Sequence, residues 1–202
     1  MSGRIPILRR LRRDQRGAAV VEFAFMVMPM LMMLLGGIEL GYLAYSKTVL
    51  EGAIRQASHM AATGQYSADD IGDEVRERLA RIGAVDDDVE IVTRAYGSFE
   101  DVQKPEPLTS DVEPLGGAPG RGDCFIDLNG DGQWSEDASQ AGLGASEDIV
   151  YFEVTATYPL LFKMMGKLLD ADEGRMTLVA NATVKNEPFG DEREPAVERC
   201  IS

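Results

Sequence analysis

Two groups of residues have types and spacing that suit chemistry. The first is Asp127-Leu-Asn129-Gly-Asp131-Gly132-Gln133-Trp-Ser-Glu136-Asp137. Asp127, Asn129 and Asp131 fall at positions 1, 3 and 5 of a calcium-loop pattern, with glycine at 6 for the sharp turn and the Gln133 carbonyl at 7. Position 12 is Ala138, so the bidentate glutamate of that pattern is missing, and Glu136 or Asp137 would have to substitute through another local geometry. Two readings stay open: a Ca2+ site, or an acidic turn joining two strands. The second group is Gly17, Ala18 and Glu22. Glu22 lies inside an apolar run, where a carboxylate costs about 2.5–3.5 kcal/mol on insertion scales and so needs a partner or a purpose. A cut between Gly17 and Ala18 would leave a cationic amine within about one and a half helical turns of it. An amine and a carboxylate on adjacent subunits would neutralise each other and favour one axial stagger of helix on helix. The alternative is that Glu22 reaches back to the headgroups.

Reaction chemistry finds little else. His59 is the only histidine and has no companion for a triad. Neither GxSxG nor HExxH occurs, so the expectation is a protein without an enzymatic activity. Arg121-Gly122-Asp123 and Asn181-Ala182-Thr183 match short recognition tripeptides that arise by chance. Cys124 and Cys200 show no CxxC spacing. In an exported domain they are free to pair as a disulfide.

The elements that must position these residues begin with a basic segment. Residues 1–17 hold six arginines against one acid, while the whole chain carries a formal net charge of −14. The acidic body argues against nucleic-acid binding. Ala18 to Tyr45 is almost wholly apolar and long enough to span a bilayer. Arginines on its N-terminal side put the N-terminus in the cytoplasm and the C-terminal body outside. A cleaved secretory signal would have a shorter apolar core without an acid. Gly37 and Gly41 form a GxxxG notch suited to close helix packing.

The helical period continues past the bilayer. Leu50, Ile54, Ala57 and Ala61 form one stripe, so a single helix runs from Ala18 to about Thr63, with a kink or loosened turn expected at Pro29 and a stop at Gly64. Ser67 and Asp70 read as a capping box for a helix over about 68–81, with Ile71, Val75, Leu79 and Ile82 inward. Strands are expected at 89–96, 149–158 and 176–184, a short helix over 160–169, and an irregular loop from Gly97 to Gly122. The fold class is α+β: a long N-terminal helix, half transmembrane and half amphipathic, packed on a small antiparallel sheet. The organisation is a basic leader (1–17), a transmembrane helix (18–45), its amphipathic extension (46–64) and an extracytoplasmic α+β domain (65–202).

The run RDQRGAAVVEF, the apolar helix and GGIELGYLAY resemble the TadE-like pseudopilins of tight-adherence pilus systems. The basic segment, glycine and apolar helix with an acid at its fifth mature position are shared with type IV-type pilins generally. This resemblance implies cleavage after Gly17 by a membrane-embedded prepilin peptidase, and a minor pilin acting in pilus assembly for surface adhesion. It implies as partners other pilins and pseudopilins of the system, the assembly platform, the peptidase and the bacterial inner membrane, with the body periplasmic or carried into the filament. The competing expectation is an uncleaved, membrane-anchored adhesive module, calcium-dependent in one version.

Overall fold

The computed structural model describes residues 16–110, 119–120, 122–163, 166, 169, 174–188 and 193–201. Most of the basic leader, Arg121 and much of the expected 160–169 helix lie outside them.

The first helix, α1, spans Arg16–Ala62 and contains Pro29. At 1.5 Å per residue its 47 residues extend roughly 70 Å. Its two halves meet different surroundings. From Val20 to Leu40 large apolar side chains stand exposed, among them Phe23, Phe25, Met28 and Met33. Beyond that, Leu50, Ala53, Ile54, Ala57, Met60 and Ala61 are buried, because their spacing of three and four keeps them on one face. Gly64, at φ 63°, closes the end by donating its N–H to the Ala61 carbonyl at 3.0 Å. Only a residue tolerant of left-handed backbone makes that turn at low cost.

The second helix, α2, spans Ala68–Leu79. Ser67 Oγ accepts the Asp70 N–H at 3.2 Å and an Asp70 oxygen accepts the Ser67 N–H at 3.0 Å, so aspartate serves where glutamate is usual. The last turn tightens to a 3-10 segment, Ala80–Ile82, that ends at left-handed Gly83. Ile71, Val75, Leu79 and Ile82 are all buried, as their period predicts.

Among the described residues seven strands follow: β1 (Val89–Tyr96), β2 (Leu108–Ser110), β3 (Cys124–Asp127), β4 (Gln140–Ala141), β5 (Ile149–Pro159), β6 (Arg175–Lys185) and β7 (Val197–Cys200). They form a four-stranded antiparallel sheet in the order β4-β1-β5-β6 and a three-stranded one in the order β2-β3-β7. In β5, Val150, Phe152, Val154, Ala156 and Tyr158 share one face and are buried against α1 and α2. Ile149 and Tyr151, on the other face, pack with Tyr96 and Val102. The loop after β1 therefore covers the far side of the sheet, and β5 reads as buried on both faces at its start.

The expected loop from Gly97 to Gly122 needs correction, since β2 forms within it. The strands β3, β4 and β7 are also absent from the sequence expectation. They are two to four residues long, too short for alternation to register, and pairing with distant chain defines them. In the small sheet Cys124 sits opposite Cys200, and the two are joined by a disulfide across 76 residues of chain. The strands over 89–96, 149–158 and 176–184 appear where the periodicity puts them, within a residue at each end, and the long helix begins two residues earlier than expected, at Arg16.

The sheet gives the head a direction. Pro159 pairs with Arg175 at one end of the β5–β6 ladder and Ile149 with Lys185 at the other. Just past that far end, the Glu187 N–H reaches the Ala62 carbonyl at 3.0 Å. The end at Pro159 lies beside Glu39 of α1, as the contacts of Leu161 and Phe162 show.

Candidate functional site

The exposed half of α1 is the surface on which the sequence-predicted assembly residues fall. Gly17, Ala18 and Glu22 are all helical and exposed. Ala18 and Glu22 are one helical turn apart, about 6 Å along the axis, on the same face. Among the described residues nothing in the chain hydrogen-bonds or pairs with the Glu22 carboxylate. A Cβ at Gly37 or Gly41 would meet nothing within 4 Å, so the glycine notch is open. At 100° per residue the notch points away from the face that carries Glu39 and Ser46 to the head. Exposed Ala44, Thr48 and Gly52 continue the same small-residue face. The helix is long and apolar enough to cross a membrane, and its apolar window is not buried by the head.

Glu39 behaves differently, and its role is not visible in the sequence. Its side chain is 1 % exposed. One carboxylate oxygen accepts the Leu161 N–H at 3.2 Å and the other the Phe162 N–H at 2.9 Å. One turn further along α1, the Tyr42 hydroxyl donates to the Ile82 carbonyl at 2.8 Å, and its ring meets Tyr158 edge-on at 5.7 Å. Burial pushes the Tyr158 phenol above its ordinary value, and the Glu39 carboxylate adds to that rise. A carboxylate that satisfies two backbone donors in a buried place ties the head to α1 at this level. The apolar repeat around residue 39 gives no hint of partners so distant in the chain.

The acidic loop joins β3 to β4. The Asp127 carboxylate accepts the Gly130 N–H at 2.6 Å, the Gly132 N–H at 3.0 Å and Arg199 Nε at 2.5 Å. Asn129 Oδ1 accepts the Asp131 N–H, and Asp131 Oδ1 accepts the Gln133 N–H. Gly130 and Gly132 both hold φ 79°, the left-handed backbone these turns require. Glu136 is exposed, and Asp137 pairs with Arg94 at 3.2 Å rather than turning to Asp127. Ala138, at position 12, is buried, and its N–H bonds the Lys104 carbonyl. The loop's hub is Glu106, which sequence reasoning missed. It is 1 % exposed and accepts N–H groups from Leu128, Asn129 and Ser135, while Trp134 Nε1 donates to its carbonyl. A calcium ion would have to take the Asp127 and Asp131 oxygens from these partners. Among the described residues no three His, Cys, Asp or Glu side chains converge as a metal site.

Residues 17–59 match the family model described as TadE-like protein. The matched segment lies wholly within α1 and ends before the sheets begin. No curated protein and no solved structure gives a significant match to the chain.

Proposed function

We propose that this chain, TadE-like over residues 17–59, is a minor pilin that takes part in assembling a Tad-type pilus for surface adhesion. The observation that carries the reading is the contrast along α1: the segment matched to the family has an exposed apolar half that the chain's own head leaves uncovered. Such a surface needs lipid or other helices around it. In this proposal the chain is inserted in the bacterial inner membrane with its N-terminus in the cytoplasm, and the body lies in the periplasm or travels into the filament.

A prepilin peptidase cuts after Gly17. The new Ala18 amine and the Glu22 carboxylate of a neighbouring subunit then pair in the apolar helix bundle. Each charge there is too costly to leave alone, so the register that brings them together wins over its neighbours. The open face of Gly37 and Gly41 lets a partner pilin's helix approach closely. The partners are other pilins and pseudopilins of the system and its assembly platform. The work is association, with no bond made or broken by the chain itself. For the Asp127 loop we propose a structural turn, with Ca2+ as the competing occupant.

The test is the N-terminus of the mature protein from cells with and without the prepilin peptidase. Ala18 as first residue, seen only with the peptidase, is the expected result. Material that keeps its arginine-rich start while pili form normally returns the chain to the alternative, an uncleaved anchor carrying an adhesive module.

A further inference from the structure

The turn that follows β5 meets α1 at Glu39, at the edge of the helix's exposed apolar half. The Leu161 and Phe162 N–H groups are fixed on the Glu39 carboxylate, one residue past Ile38. If Gly17–Ile38 is the stretch in lipid, its length is roughly 33 Å at 1.5 Å per residue. A bilayer's hydrocarbon core is about 30 Å thick. Glu39 then sits at the outer boundary, with its charge taken up by two backbone donors, and Tyr42 and Tyr45 lie in the aromatic belt just above. Around that boundary the head presents apolar surface where a periplasmic face would show polar groups. Leu161 is 51 % exposed, and Ile38 at 47 % and Leu40 at 58 % flank its partner Glu39 on the helix. Phe162 is half-buried and Lys163 exposed.

We propose that the Leu160–Lys163 turn is a second membrane contact, resting in the outer-leaflet interface of the bilayer that α1 crosses. This rests on the membrane reading of α1 given above. Leu161 and the exposed edge of Phe162 lie among the upper acyl chains, and the Lys163 ammonium lies at the level of the lipid phosphates. A single helix leaves a head free to rotate and tilt. A second apolar contact clamped to the helix by Glu39 fixes which face of the head meets the membrane, and so which face meets an incoming subunit.

The experiment uses the full chain with the disulfide intact, in vesicles of phosphatidylcholine and phosphatidylglycerol. Single cysteines are placed at Leu161, Leu31 and Phe99 and labelled with an environment-sensitive fluorophore, and spin-labelled lipids serve as quenchers. Phe99 is exposed and follows β1 at the end of the sheet remote from Glu39. The expected result is quenching at Leu31 by a deep spin label, quenching at Leu161 by a shallow one, and none at Phe99. A Lys163→Cys label should rank between Leu161 and Phe99, which guards against a misfolded Leu161 variant. Quenching at Leu31 with Leu161 as unaffected as Phe99 overturns the proposal and leaves the membrane reading standing. Loss of quenching at Leu31 as well removes both.

Discussion

Glu22 and Glu39 are two acids on one helix, each set in an apolar stretch, and the molecule treats them in opposite ways. Glu39 is buried, and both its oxygens are engaged by backbone N–H groups of the head. Glu22 is exposed and engaged by nothing among the described residues. Burying a charge without partners is expensive, so each needs a satisfied environment. Among the described residues the chain supplies that environment for Glu39 and not for Glu22. Glu39 belongs to the fold, whereas the partner of Glu22 in the assembly proposed above is the Ala18 amine of a neighbouring subunit.

The sharpest way to break this contrast is Glu22→Ala. Surface attachment and pili should be lost while the protein still inserts and its head melts at an unchanged temperature. Normal piliation in that variant, counted by electron microscopy, would make Glu22 dispensable and collapse the comparison. A stability control far from both acids is Cys124→Ser with Cys200→Ser. Opening a loop of 76 residues should cost about 3–5 kcal/mol in the chain-entropy model, read as a lower denaturant midpoint. If pili survive that loss, assembly depends on the helix register more than on head stability. Next in size is Glu39→Ala, which strands two part-buried N–H donors at about 1–3 kcal/mol apiece as an upper bound, since water can reach a loosened turn. Hydrogen exchange should then speed at Leu161 and Phe162, with the rest of the sheet protected. Unchanged exchange there would mean that Glu39 does not hold the turn.

The sequence makes one of these two acids legible and hides the other. Glu22 stands out because an acid at a fixed distance from a glycine and a basic segment is a local pattern. Glu39 bonds to residues 122 and 123 positions away, so no window of sequence contains the interaction. The same division runs through the fold. Helix α1 and strands β5 and β6 are long enough for periods of 3.6 and 2 to show, whereas β2, β3, β4 and β7 are short and exist through their pairing. The Asp127 loop lies between the two cases. Its glycine and Asx spacing marks the turn, yet Glu106, which closes it, sits between two prolines in what reads as irregular chain.

That loop gives a smaller test. Its carboxylates already hold backbone N–H groups and Arg199, so millimolar calcium should leave the melting temperature unchanged. A rise on adding calcium, reversed by a chelator, would give the loop to the ion.

The smallest effect concerns a third kind of acid, engaged locally at the surface. Asp70 is held below its ordinary value of 3.8, first by its side-chain hydrogen bond with Ser67 and then by the Ser67 backbone N–H. The folded value is the lower one, so the stabilisation is fully present above the unfolded value and fades as pH falls through the folded value. Asp70→Asn keeps an acceptor for the Ser67 N–H but removes the charge at the start of α2. The gap in melting temperature between parent and variant should be small at neutral pH and should close below about pH 4, where the unfolded carboxylate begins to take up protons. A gap that stays constant to lower pH would show that geometry, and not charge, sets the cap.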